Sequence, residues 1–214
     1  GSGNHKEALR WLDAAMDVDA EESMTPGDVR LEIAVLLTCR GILMRKLGLL
    51  EVAFDNLQAG KEKHKLKEQW HHIAHGHLQR GSVRAAIGEL TEATVKFPEC
   101  GLAYKYLGDV YNEEANKLRA KQDVWQPELV RSTDSYSAAI ANFRASFGLE
   151  GAQADAGPTP AAVQLETYLQ HCIARRGVNW VRLQRPDLAI EDFHLLVTEW
   201  DEHSRDSVVR WGDC

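Results

Sequence analysis

Long apolar runs are missing from this chain of 214 residues. The longest, Ile33 to Leu37, falls far short of the ~18–20 residues that cross a bilayer, so no membrane span is expected. The first residues carry no charged stretch leading into an apolar core, and no signal peptide is expected there. Cysteine is scarce: Cys39, Cys100, Cys172 and Cys214 are widely scattered, with no Cys-x-x-Cys pair. That spacing argues against a disulfide framework or a zinc knuckle. It leaves the reading of four reduced thiols in a cytoplasmic or otherwise intracellular compartment. Positive charge is also short, with 25 Lys+Arg against 32 Asp+Glu and a net charge of −7, which argues against a dedicated nucleic-acid binder. Gly-rich phosphate loops, Gly-x-Ser-x-Gly, His-Glu-x-x-His and EF-hand loops are all lacking, so no catalytic residue, no resident metal and no cofactor are expected.

What the chain does contain is repetition. Five segments place a small residue, a bulky one four positions on, then usually another small one three further. They are Ala8-Leu12-Ala15, Ala53-Leu57-Gly60, Ala86-Leu90-Ala93, Ala139-Phe143-Ser146 and Ala189-Phe193-Leu196. Steps of four and three keep all three residues on one helical face, where small side chains let a second helix approach closely. Sixteen residues before Ala53, Ala86 and Ala189 stand Leu37, Trp70 and Ile173, each followed by a small residue (Gly41, Ala74, Gly177) and a large one (Met44, His77, Trp180). The remaining copy reads Tyr104, Gly108, Tyr111. The unit is a pair of antiparallel helices, with Gly48 and Gly81 marking tight turns in two copies.

In these residues the chain resembles the tetratricopeptide repeat (TPR) family. The closest copy is Trp70, Ile73, Ala74, His77, Gly81, Ala86, Leu90, Ala93 and Pro98, departing only where His77 replaces the usual Tyr. Tyr104, Leu107, Gly108 and Tyr111 match a first helix, and Arg176-Gly177 with Ala189-Ile190-Glu191-Asp192-Phe193 match a common variant. The resemblance implies an all-α helical-repeat solenoid, a right-handed superhelix of about ten helices.

The anchor alanines Ala8, Ala53, Ala86, Ala139 and Ala189 are spaced by 45, 33, 53 and 50 residues, against a family period of ~34. The excess divides the chain. Residues 1–3 read as a cloning remnant and 4–20 as the second helix of a truncated repeat. Repeats follow at 26–63, 67–99 and 101–148, the last carrying an insertion at 113–134. A flexible Gly/Ala/Pro loop over 148–159 leads to a repeat at 160–201, and 204–214 reads as the start of a further or capping helix. Thr25-Pro26 and Thr159-Pro160 read as helix caps with proline at the first helical position.

First helices of this family line a concave groove. The resemblance therefore implies a non-catalytic scaffold that binds a peptide or protein subunit through Arg45, His71, His75, Lys105, Tyr106, Asp109, Asn112, Arg175 and Arg182. Trp125, inside the insertion and outside the periodic pattern, either anchors the insertion or meets the partner. The subset of the family that clamps chaperone-tail carboxylates uses Lys and Asn, then Asn, then Lys and Arg. Here His71, His75, Tyr106 and His171 stand at four of those positions and only Arg175 matches, so that ligand is not expected. A second reading rests on histidine. Of 9 His, five fall at His64, His71, His72, His75 and His77. Imidazoles at i and i+4 bite a metal ion, which leaves open a metal-binding or metal-regulated helical protein. Clustered in a groove, these histidines are also expected to protonate near pH 6.5 and to strengthen binding of an acidic partner as pH falls from about 7.5 to 6.

Overall fold

The computed structural model describes residues 2–16, 25–150 and 159–211. They form nine helices and no strand: α1 (Ser2–Met16), α2 (Pro26–Lys46), α3 (Leu50–Lys63), α4 (Trp70–Gln79), α5 (Val83–Lys96), α6 (Gly101–Ala120), α7 (Gln126–Glu150), α8 (Pro160–Arg182) and α9 (Pro186–Trp211). The chain divides into two compact units, Gly1–Phe97 and Pro98–Cys214. The all-α class inferred from the repeat spacing is what the chain adopts.

Local chemistry starts and stops the helices. The Asp28 amide donates to Thr25 Oγ1 (3.2 Å) and the Ala162 amide to Thr159 Oγ1 (3.1 Å), so both threonines cap the helices that Pro26 and Pro160 begin. In each pair the first helix ends near a residue of positive φ, and the amide of the residue after it reaches back to the last turn. Unit 1 uses Gly48 (φ 80°) and Gly81 (φ 73°); unit 2 uses Gln122 (φ 60°) and Gln184 (φ 58°). The Arg185 amide donates to Trp180 O at 2.9 Å, as the Ser82 amide does to His77 O at 2.8 Å.

The anchors Ala53, Ala86, Ala139 and Ala189 are all buried. In unit 1, Gly41 on α2 lets Leu57 of α3 close in; a Cβ there would sit 2.7 Å from Leu57 Cγ. In unit 2, Gly101 and Gly108 of α6 admit Phe143 and Tyr136 of α7, which sets the two helices antiparallel. Ser132 and Ser137 of α7 in turn meet Asn179 and Arg176 of α8, so α8 runs parallel to α6. The core of unit 2 gathers Tyr136, Ile140, Phe143, Leu169, Cys172 and Ile173, each large apolar group contributing roughly 1.5–3 kcal/mol by leaving water.

At two places the helices extend the sequence reading. Where a fresh helix was expected from Ser204, α9 runs unbroken from Pro186 to Trp211, because no glycine or proline interrupts 187–211. The described residues hold nine helices. The 113–134 stretch adds its residues to two helices. It is consumed by lengthening α6 to 20 residues and α7 to 25, against 10 and 14 in α4 and α5, with 121–125 as the connection. The glycine- and alanine-rich stretch read as a flexible loop lies, at 151–158, outside the described residues, as does Cys214.

Candidate functional site

In unit 2 the parallel helices α6 and α8 bring two stripes together. Lys105, Asp109 and Asn112 follow one another at i, i+4 and i+7 on α6; His171, Arg175, Val178 and Arg182 do the same on α8. Asp109 is the hub. Lys105 Nζ donates to its Oδ2 (2.7 Å), and the Tyr136 hydroxyl donates to Oδ1 (2.7 Å). His171 Nε2 lies 3.0 Å from the same Oδ1 and must carry the proton between them, since a carboxylate only accepts. Burial pushes the Asp109 carboxyl up, but the bonds from His171, Lys105 and Tyr136 outweigh it and hold the pKa at about 2. The same burial, beside the Asp109 charge, raises the Tyr136 phenol above its ordinary value. Cys172, beneath them, is pushed up to about 12 by burial and stays a thiol. Lys105 is itself buried, with Nζ 4.4 Å from the Tyr106 ring centroid and 5.6 Å from that of Tyr168. Of the groove residues read from the sequence, Lys105 and Asp109 are thus bound to each other.

The other end of the stripe is differently made. Arg182 Nη1 donates to Asn112 Oδ1 (2.9 Å), which buries Asn112. Its guanidinium lies 5.5 Å from the centroid of the Trp125 indole, and that of Arg119 lies 5.7 Å from the same ring. Burial and the nearby Arg119 charge lower the Arg182 pKa from its ordinary value. Trp125 is more than half buried at the α6–α7 connection. Between the two ends Arg175 is exposed, and Val178 and Val181 expose 46% and 55% of their surface. His171, Tyr136 and Arg119 complete these clusters and were absent from the sequence-derived site. His171 was legible in hindsight, one helical turn before Arg175 on the same face.

In unit 1 the corresponding positions are Arg45 at the end of α2 and His71 and His75 on α4. The rings of His71 and His72 lie 3.9 Å apart, and His75 is the most exposed of the three. His72 is half-buried. Burial first, then the charges of His71, Arg45, His75 and Lys46, lowers its pKa to about 3. Burial and Arg45 likewise lower that of His75. Both shifts run against the expectation that this cluster gains charge near pH 6.5, and His72 stays neutral there. Among the described residues no three His, Cys, Asp or Glu side chains converge to hold a metal ion, and His77 packs its ring edge against Phe54 at 5.0 Å. No described helix is long and apolar enough to cross a membrane.

No family model and no curated protein matches the chain. Solved structures do. The crystal structure of MamA superposes with a TM-score of 0.63 at 14% identity, over 95% of this chain and 92% of MamA. BtubC (BKLC) from P. vanneervenii gives 0.59 at 14% identity, over 94% of this chain and 75% of its own. YrrB, a TPR protein with an unusual peptide-binding site, gives 0.55 at 12% identity, over 94% and 81%. The chain has the tetratricopeptide-repeat fold, an all-α helical-repeat solenoid of antiparallel helix pairs.

Proposed function

We propose that this chain is a non-catalytic protein–protein interaction scaffold, and that in unit 2 a peptide or protein subunit lies along the α8 stripe. The observation that carries the reading is the division of labour on that stripe. His171 is engaged with Asp109, whereas Arg175, Val178 and Val181 stand exposed in a row, a mixed cationic and apolar strip of the kind an extended segment or short helix covers. In unit 1 Arg45, His71 and His75 would take the equivalent role. The chemistry of the site favours holding over reacting: the Asp109 carboxylate is engaged by three donors, and the Cys172 thiol is protonated at physiological pH. The residues at the clamp positions, His71, His75, Tyr106 and His171 in place of Lys and Asn, do not suit a chaperone-tail carboxylate.

The test is a peptide-display selection on the immobilised chain, followed by affinity measurement of the enriched peptides. Replacing Arg175 by Ala together with Val178 and Val181 by Ser should weaken them at least tenfold at unchanged helical circular dichroism, the loss of a few modest contacts. Peptides that bind the triple variant as well as the parent would refute the α8 site.

A further inference from the structure

Helix α9 repeats the packing of α7, but one side of it stands uncovered. Phe193 lies over Gly177 of α8 as Tyr136 lies over Gly108 of α6; a Cβ added at either glycine would sit 2.8 Å from the ring. With those two rings aligned, Ile190, Phe193 and Val197 of α9 stand where Thr133, Tyr136 and Ile140 stand on α7. Steps of three and four put each trio on one helical stripe. On α7 none of the three is more than 4% exposed. Helix α8 closes that face, where its Leu169, Cys172 and Ile173 share one core with Tyr136 and Ile140. On α9 the same positions are exposed by 67%, 38% and 61%. An open hollow of about 430 Å³ lies beside the stripe, lined by Ile190 and Leu195 and by Arg176 and Asp192, which are bound to each other at 2.6 and 2.9 Å. Single exposed apolar residues are ordinary on a protein surface. A stripe of three beside a hollow marks a place where something docks.

We propose that this face of α9 docks an amphipathic helix of a partner protein, apolar on the side it buries and basic along one flank. The molecule supplies its own template. Helix α8 covers α7 with Leu165, Leu169 and Cys172, at i, i+4 and i+7, so a partner helix with apolar residues at that spacing fits the equivalent stripe of α9. Charge selects among such helices. Asp187 and Glu191, at i and i+4, run exposed along one flank of the stripe, and Arg185 offsets only the first of them, at 3.2 Å. The chain as a whole carries a net charge of −7, so lysines on the partner are drawn both at a distance and at contact. A second copy fits less well, since a symmetric contact brings the same acids and the same net charge to the seam. The inference goes beyond the scaffold reading, whose α8 stripe shares no residue with this surface.

The probe is a capped helical peptide of about five turns, with Leu on one stripe at steps of three and four and Lys along one flank. One control carries Glu in place of Lys, and a second is a shuffled sequence of the same composition. Binding of each labelled peptide to the whole chain is read by fluorescence anisotropy. The Lys helix should bind roughly tenfold or more tightly than either control. Ile190→Ser together with Val197→Ser should weaken it about tenfold at unchanged helical circular dichroism, because both side chains are exposed and the fold does not lean on them. Asp187→Asn with Glu191→Gln should remove most of the preference for Lys over Glu. Shuffled and Lys peptides bound alike, Lys and Glu helices bound alike, or an affinity indifferent to Ile190 and Val197 overturns the site. Sedimentation of the chain alone adds one more arm. A dimer that the Ile190→Ser, Val197→Ser variant returns to monomer assigns the face to a second copy and overturns the partner helix. The triple variant at Arg175, Val178 and Val181 keeps the two proposals apart. It should hold the Lys helix as the parent does, even where it loses the peptides of the α8 stripe. Loss of the Lys helix in that variant moves the helix onto α8 and removes the α9 site.

Discussion

Gln184 and Gln122 hold left-handed backbone where the equivalent turns of unit 1 use Gly81 and Gly48. A side chain in that conformation costs about 1 kcal/mol, partly offset because glycine loses more freedom on folding. Gln184→Gly should therefore stabilise unit 2 by about 0.5–1 kcal/mol, measured as a rise in the denaturation midpoint, and a fall would show that the glutamine side chain makes an offsetting contact. The opposite holds at Gly108. A Cβ there would stand 2.8 Å from Tyr136 Cδ1, and Tyr136 is fixed by its bond to Asp109. Gly108→Ala should destabilise by about 1–3 kcal/mol, the usual cost of overpacking. The glycine turns could be read from the sequence directly. The glutamine turns could not, because their conformation is imposed by the helices they join.

The longer helices α6 and α7 change what the 113–134 stretch can tolerate. As a separate insertion, residues 120–132 would be removable at little cost to the fold. In the structure Leu129 and Ser132 are fully buried, and Ser132 Oγ donates to Gly108 O (2.8 Å) while accepting from Asn179 Nδ2 (3.0 Å). Deleting 120–132 should thus lower the stability of unit 2 by about 3 kcal/mol or more, through lost apolar burial and orphaned polar groups. A deletion variant with an unchanged denaturation midpoint would refute that account. The sequence marked this stretch as unusual because the spacing of anchors is local. It could not tell a module from a lengthened helix pair, since both read as helical period followed by a turn.

Acid should act on the two units in different windows. An unfolded histidine takes its proton near pH 6.5, whereas His72 in the native chain resists protonation down to about 3. Below about pH 6.5 the unfolded state binds the extra proton, so unit 1 loses stability as pH falls, and His72→Gln should flatten that loss. Asp109 works lower. An unfolded aspartate protonates near 3.9 while the native one holds its charge to about 2, so its contribution is present above about pH 4 and disappears as pH falls through that interval. The contribution is of order 1–2 kcal/mol once solvent screening is allowed for. Denaturant midpoints of the parent and of the His72→Gln and Asp109→Asn variants, taken from about pH 7 down to about pH 2, check both. Midpoints flat in the parent would contradict the burial of His72.

Helical class and the buried anchors Ala53, Ala86, Ala139 and Ala189 were determined by the chain itself, because small and bulky residues spaced by three and four state which face of a helix is covered without reference to anything distant. The caps at Thr25 and Thr159 were legible for the same reason. Which polar groups meet was decided only on folding. His171 reaches Asp109 across 62 residues and Arg182 reaches Asn112 across 70, and no periodicity within one helix encodes the side-by-side placing of α6 and α8 that joins them. That placing brought His171 onto Asp109, left Arg182 with donors unsatisfied, and set two guanidiniums beside Trp125. Desolvation and charge depend on neighbours in space, so the electrostatics of the candidate site became readable only once the helices were packed.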